Sequence, residues 1–158
     1  MTKTIIAATS FLLFAAGLSG AGFSMEPSAS PPRVNFYHEI PYVSGGIGAE
    51  DREAVEAIGR EHNLKLSFAL QNGNYLGDVN VVVKDGNGQP VLEAVSDGPL
   101  FFAKLPAGNY SIEATTRGET LKRTVHVSGR GQTQVHFAWK GPNRETVGPE
   151  GSTASGEF

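Results

Sequence analysis

The chain has 158 residues, with 13 Lys plus Arg against 16 Asp plus Glu, a formal net charge of −3, and no cysteine. That balance, without a basic run or a Lys/Arg stripe, argues against nucleic acid or an anionic membrane surface as partner. The missing thiols exclude disulfides, thiolate metal sites and a lipid-modified cysteine, so a folded domain here is held by its apolar core alone.

The N-terminus carries Lys3, then an apolar run of 14 residues from Ile5 to Leu18 broken by Thr9, Ser10 and Gly17, then residues from Ser19 to Ser24 that are small apart from Phe23. This is the layout of a secretory signal peptide. The run falls short of the roughly 20 apolar residues a membrane-spanning helix needs. Residues 1–24 are therefore expected to direct export and to be cleaved after Ala21 or after Ser24, leaving no stable membrane insertion. Residues 25–48 read as a flexible leader, with three prolines between Met25 and Arg33 and with Phe36, Tyr37, Ile40 and Pro41 as isolated apolar residues able to dock its aromatic end.

A helix is expected over 49–62. Glu50, Asp51 and Glu53 sit at its start and Arg60 and His62 at its end, an order that suits the helix dipole. Ile47, Ala54 or Val55, and Ile58 form one narrow apolar stripe, and Gly59 weakens the helix. From Leu64 the hydrophobic period changes to two. Leu64, Leu66, Phe68 and Leu70 alternate with polar or small residues, and after Gln71–Asn74 so do Val79, Val81 and Val83. Asp85-Gly86-Asn87-Gly88 is a turn, followed by a strand over Pro90–Val95. In that strand Glu93 alternates with Val91 and Val95, so either it faces an edge or Leu92 and Ala94 point inward; the second register is favoured.

Gly98 to Ile112 reads as strand, tight turn at Pro106-Ala107-Gly108, and strand, with Tyr110 in the core. Arg117-Gly118-Glu119 turns the chain into Thr120–Val127, and Ser128–Gly131 turns it back into Gln132–Trp139. Seven short strands in 63–140, with glycine-rich turns and one leading helix, indicate an all-β, seven-stranded antiparallel β-sandwich of Greek-key type. The tail, 141–158, has only Val147 and Phe158 as large apolar residues and reads as disordered.

Gly73, Leu76, Val79, Val81 and Val83, then Asp85 and Gly88, then Asp97-Gly98 with Leu100 and Phe102, and above all Leu105-Pro106-Ala107-Gly108-Asn109-Tyr110, resemble the carboxypeptidase regulatory-like domains. In that family the last run is usually Leu-Pro-Pro-Gly-x-Tyr, and Ala107 departs from it. The resemblance covers roughly residues 64–127 and implies a transthyretin-like (prealbumin-like) sandwich. The flanks, with Tyr42-Val43-Ser44-Gly45-Gly46-Ile47-Gly48, look like those of small exported proteins of Gram-negative bacteria that carry one such domain. The implied setting is the periplasm, and the implied role is non-enzymatic.

Reactive constellations are scarce. None of His38, His62, His126 or His136 falls in an H-E-x-x-H or H-x-x-E motif, no G-x-S-x-G occurs, and the Tyr-Arg-Gly-Ser signature of the transthyretin-like hydroxyisourate hydrolases is absent. If Val127 pairs with Thr133 across a last hairpin, His126 and His136 become diagonal neighbours roughly 7 to 8 Å apart, a weak metal pair without a third ligand. Gly45-Gly46-Ile47-Gly48 could offer backbone N–H groups to an anion, but the Lys-Ser/Thr of a P-loop does not follow. No cofactor is expected. Alternation turns Phe102 inward and Phe101 outward, unless the leader or the helix covers it, and Tyr75 lies in an exposed turn. Phe101 and Tyr75 are thus the candidate binding residues, for another envelope protein or, alternatively, as stacking platforms for a small molecule or glycan.

Overall fold

The computed structural model describes residues 31–141. The expected signal peptide, the first part of the leader and the tail beyond Gly141 lie outside the described residues. Nine strands and one helix form two sheets: β1 (Asn35–Tyr37), β2 (Ile40–Gly45), α1 (Ala49–Gly59), β3 (Leu64–Leu70), β4 (Val79–Lys84), β5 (Pro90–Ser96), β6 (Leu100–Ala103), β7 (Gly108–Thr116), β8 (Glu119–Val127) and β9 (Thr133–Trp139). One sheet has the order β1-β2-β6-β3-β9 and the other β5-β4-β7-β8.

All seven strands read from the period-two pattern are present, as β3 to β9. The count of seven is nonetheless corrected, because the stretch read as a flexible leader supplies two more. β1 and β2 pair through Asn35↔Tyr42, Phe36↔Pro41 and Tyr37↔Ile40, and β2 then pairs with β6. The helix thus lies between β2 and β3, not ahead of the sandwich. Pro41 spoils the strand signal in the sequence, yet the β2–β6 ladder begins only at Tyr42↔Ala103, so the missing N–H of Pro41 costs that ladder nothing.

The purely antiparallel description is also corrected. β3 and β9 run parallel from Leu64↔Thr133 to Leu70↔Trp139. The Ser128–Gly131 stretch is therefore not a hairpin but a crossing between sheets, and so is the connection around Pro106, because β6 belongs to the first sheet and β7 to the second. Short alternating strands look the same in a hairpin and in an arch between sheets. The true hairpins are β1–β2, β4–β5 and β7–β8.

The inter-sheet core gathers Leu64, Leu66, Phe68, Val79, Val81, Val83, Leu92, Phe101, Ile112, Phe137 and Trp139 among its buried residues. Leu92 is fully buried while Val95 is 55% exposed, so the favoured register of β5 is the observed one. A second, separate cluster of Val43, Val55, Leu100 and Phe102, with Ile58 against it, lies under α1 on the outer face of the first sheet. All four residues of β6 are buried, since its strand has the opposite sheet on one side and α1 on the other. Tyr110 closes the Pro106 arch, donating its hydroxyl to the Pro106 carbonyl at 2.6 Å. Burial, and secondarily the Asp85 carboxylate, pushes that phenol above its ordinary pKa.

Candidate functional site

Phe101 does not face solvent. It is completely buried between the sheets, with its ring stacked on Tyr42 at 5.4 Å between centroids. The expected orientation is corrected for a simple reason: Phe101 points to the inter-sheet core, whereas Phe102 points to the helix, and both sides of β6 are covered. Tyr75 is 62% exposed as expected. One face of its ring, however, is taken by the guanidinium of Arg52 on α1, 4.4 Å from the centroid.

The two histidines considered as a metal pair are not brought together by a hairpin, because β8 and β9 belong to different sheets. His126 has a nitrogen 2.8 Å from the Asn109 side-chain oxygen, and His136 has one 2.9 Å from the Ser67 hydroxyl. Among the described residues no group of three or more His, Cys, Asp and Glu side chains is placed to hold a metal ion.

The loop at Gly45–Gly48 is more informative. Gly45, at a φ of +152°, approaches so close to α1 that an added Cβ would stand 2.8 Å from the Val55 side chain. Just after it, the Gly46 and Ile47 N–H groups both donate to one carboxylate oxygen of Asp51, at 2.5 and 3.0 Å. The backbone N–H groups considered for an external anion are thus taken by the chain's own carboxylate, from the first turn of α1. Gly98 lies against the Gly45 carbonyl, where any side chain would overlap backbone. That contact brings the β5–β6 turn beside the end of β2, and there the Ser44 hydroxyl donates to the Asp97 carboxylate at 3.3 Å while accepting from the Asp97 N–H at 3.2 Å.

Beside these contacts lies an open cleft of about 480 Å³ whose lining includes Arg33, Asn35, Ser44, Ile47, Asp51 and Asp97. Ile47 is 71% exposed here, and Phe36 on β1 is 67% exposed. Phe36 lies on the same face of the first sheet as Val43, since residues two apart, or paired across strands, share a face. Sequence reading missed this site for two reasons. Ile47 reads as part of the apolar stripe of the helix, and Arg33 and Asn35 fall in the stretch read as a flexible leader. The aromatic and β-branched content of 34–43 was the signal available. No protein-family model matches this chain, and no curated protein matches it either.

The outer face of the second sheet, where Val95 is exposed, also carries an ion-paired cluster. Lys84 contacts both carboxylate oxygens of Glu113, at 2.9 and 3.0 Å, and Lys122 lies 3.5 Å away. The Lys84 hydrogen bond is the main cause holding the Glu113 carboxyl below its usual range. The edges of β8 and β9 are tied by side chains, Trp139 Nε1 donating to the Glu119 carbonyl at 3.2 Å and Thr133 Oγ1 to the His126 carbonyl at 3.1 Å. Among the described residues no helix is long and apolar enough to cross a membrane.

Proposed function

We propose that this chain is an exported, non-catalytic β-sandwich module that binds another protein of the cell envelope, and that it does so through the end of the fold where β2, α1 and the β5–β6 turn meet. The carrying observation is the cleft beside Ile47. The large apolar side chain of Ile47 stands in solvent at a concavity lined also by the Asp51 and Asp97 carboxylates and by Arg33. Exposed apolar groups beside directional polar groups form the usual anatomy of a protein contact, an apolar centre with a polar rim. The two-sheet arrangement supports the likeness to carboxypeptidase regulatory-like domains, and the signal-like N-terminus supports the periplasm as the place of action. A non-enzymatic role agrees with that likeness. The reading as a glycan or small-molecule binder loses one of its two platforms, because Phe101 is in the core.

Photo-crosslinking in the exporting bacterium tests the reading, with a photoreactive residue in place of Ile47 and a control in place of Lys122, which is exposed on the second sheet. A discrete adduct at Ile47 and none at Lys122 is expected. No adduct at either position, or the same adducts at both, would overturn the assignment of this end as the contact surface.

A further inference from the structure

His62 follows α1 and is only 7% exposed. One ring nitrogen, Nδ1, lies 3.1 Å from the Ile58 carbonyl oxygen, which can only accept, so Nδ1 carries the hydrogen. The other nitrogen, Nε2, is then a bare lone pair. It is buried and has no hydrogen-bond partner among the described residues. The residues around it form the joint that docks α1. The Gln132 amide donates to the carbonyls of Gly59 and His62, at 3.0 and 2.9 Å, and the Asn63 side chain both donates to and accepts from the Leu105 backbone, at 2.7 and 2.9 Å.

What the joint secures is packed apart from the inter-sheet core. Val43, Val55, Leu100 and Phe102 form their own cluster under α1, distinct from the inter-sheet core. A layer held by four buried side chains opens at lower cost than the whole sandwich. We infer that α1 is an acid-released flap, in which protonation of His62 at Nε2 loosens the helix from the first sheet and uncovers Val43, Leu100 and Phe102 while the sandwich stays folded.

The chemistry follows from the site. A proton added at Nε2 finds no acceptor and places a charge in a buried position. The charged groups that reach it are Lys104, after β6, which repels the cation, and Glu61, its chain neighbour, which attracts it. On β3, Lys65 is paired with Glu56 of α1 at 3.2 Å. Burial is the largest influence and holds the imidazole below its ordinary value, against the bond to the Ile58 carbonyl. The released state therefore binds more protons than the docked one. Docking is at full strength above the free imidazole value of about 6.5 and weakens as pH falls from there through the lowered docked value.

Hydrogen exchange on the full chain, expressed as protection corrected for intrinsic rates, compares about pH 7.5 with about pH 5, the range in which imidazoles titrate. The amides of α1 are expected to lose protection on acidification, by about tenfold for each unit separating the docked and released pKa values. Those of β4, β7 and β9 are expected to keep theirs. In the His62→Gln variant the acid-dependent loss is expected to disappear. Unchanged α1 protection in the wild type, an equal loss in the variant, or simultaneous loss throughout the strands would each overturn the inference. Should the variant not fold, an NMR titration of the wild-type His62 ring decides: a value at or above the free imidazole value of about 6.5 refutes it.

Discussion

Gly59 is the residue through which the docking of α1 is most directly tested. At Gly59, the last residue of α1, alanine gains at most the about 0.8 to 1 kcal/mol by which it exceeds glycine in a helix interior. Here the added Cβ would stand 2.5 Å from Cδ1 of Phe102 and 2.6 Å from both Cε1 and Cγ, where ordinary contact begins at 3.4 Å. Phe102 is itself buried against Val43, Leu100 and Val55, so the ring has little room to retreat. Overpacking of this kind costs about 1 to 3 kcal/mol, which exceeds the helical gain over most of that range. Gly59→Ala is therefore expected to destabilise by about 1 kcal/mol net. In a Phe102→Ala background the clash is gone and only the helical term survives, so the same substitution should stabilise by up to about 1 kcal/mol. Urea unfolding at neutral pH, followed by Trp139 fluorescence and far-ultraviolet circular dichroism together, gives both arms of the cycle. Stabilisation by Gly59→Ala in the wild type, or a coupling energy within about 0.5 kcal/mol of zero, would refute the packing argument.

The buried position of Phe101 leads to a second expectation, that Phe101→Ala costs about 3 to 5 kcal/mol in the same urea assay, as loss of a core aromatic does; a loss under about 1 kcal/mol would mean the ring is not enclosed. Asn63 bridges to Leu105 through both its donor and its acceptor. Asn63→Ala should cost about 2 kcal/mol, since each net hydrogen bond is worth about 1 and the Leu105 groups are left without a side-chain partner. Asn63→Asp should cost at least as much, because it sets a carboxylate oxygen in place of the amide donor, against the Leu105 carbonyl.

The period-two pattern from Leu64 onward, the turn residues and the small apolar core of this chain were determined by the sequence by itself. It located β3 to β9, turned Leu92 inward and put Tyr110 in the core, because face alternation is a local property of extended backbone. It said nothing reliable about partners. Whether β6 and β7 fold back as a hairpin or arch between sheets leaves the alternation unchanged, and so does the choice between an antiparallel β8–β9 pair and the parallel β3–β9 pair. The run Leu100-Phe101-Phe102-Ala103 shows the limit most clearly. Four consecutive apolar residues mark a strand buried on both faces, yet only the tertiary structure supplied the two coverings, the opposite sheet over Phe101 and α1 over Phe102. The candidate contact surface was invisible for the same reason. It is assembled from the ends of β2, α1 and the β5–β6 turn, segments far apart in the chain, and their meeting depends on Gly45 and Gly98 letting backbone approach backbone.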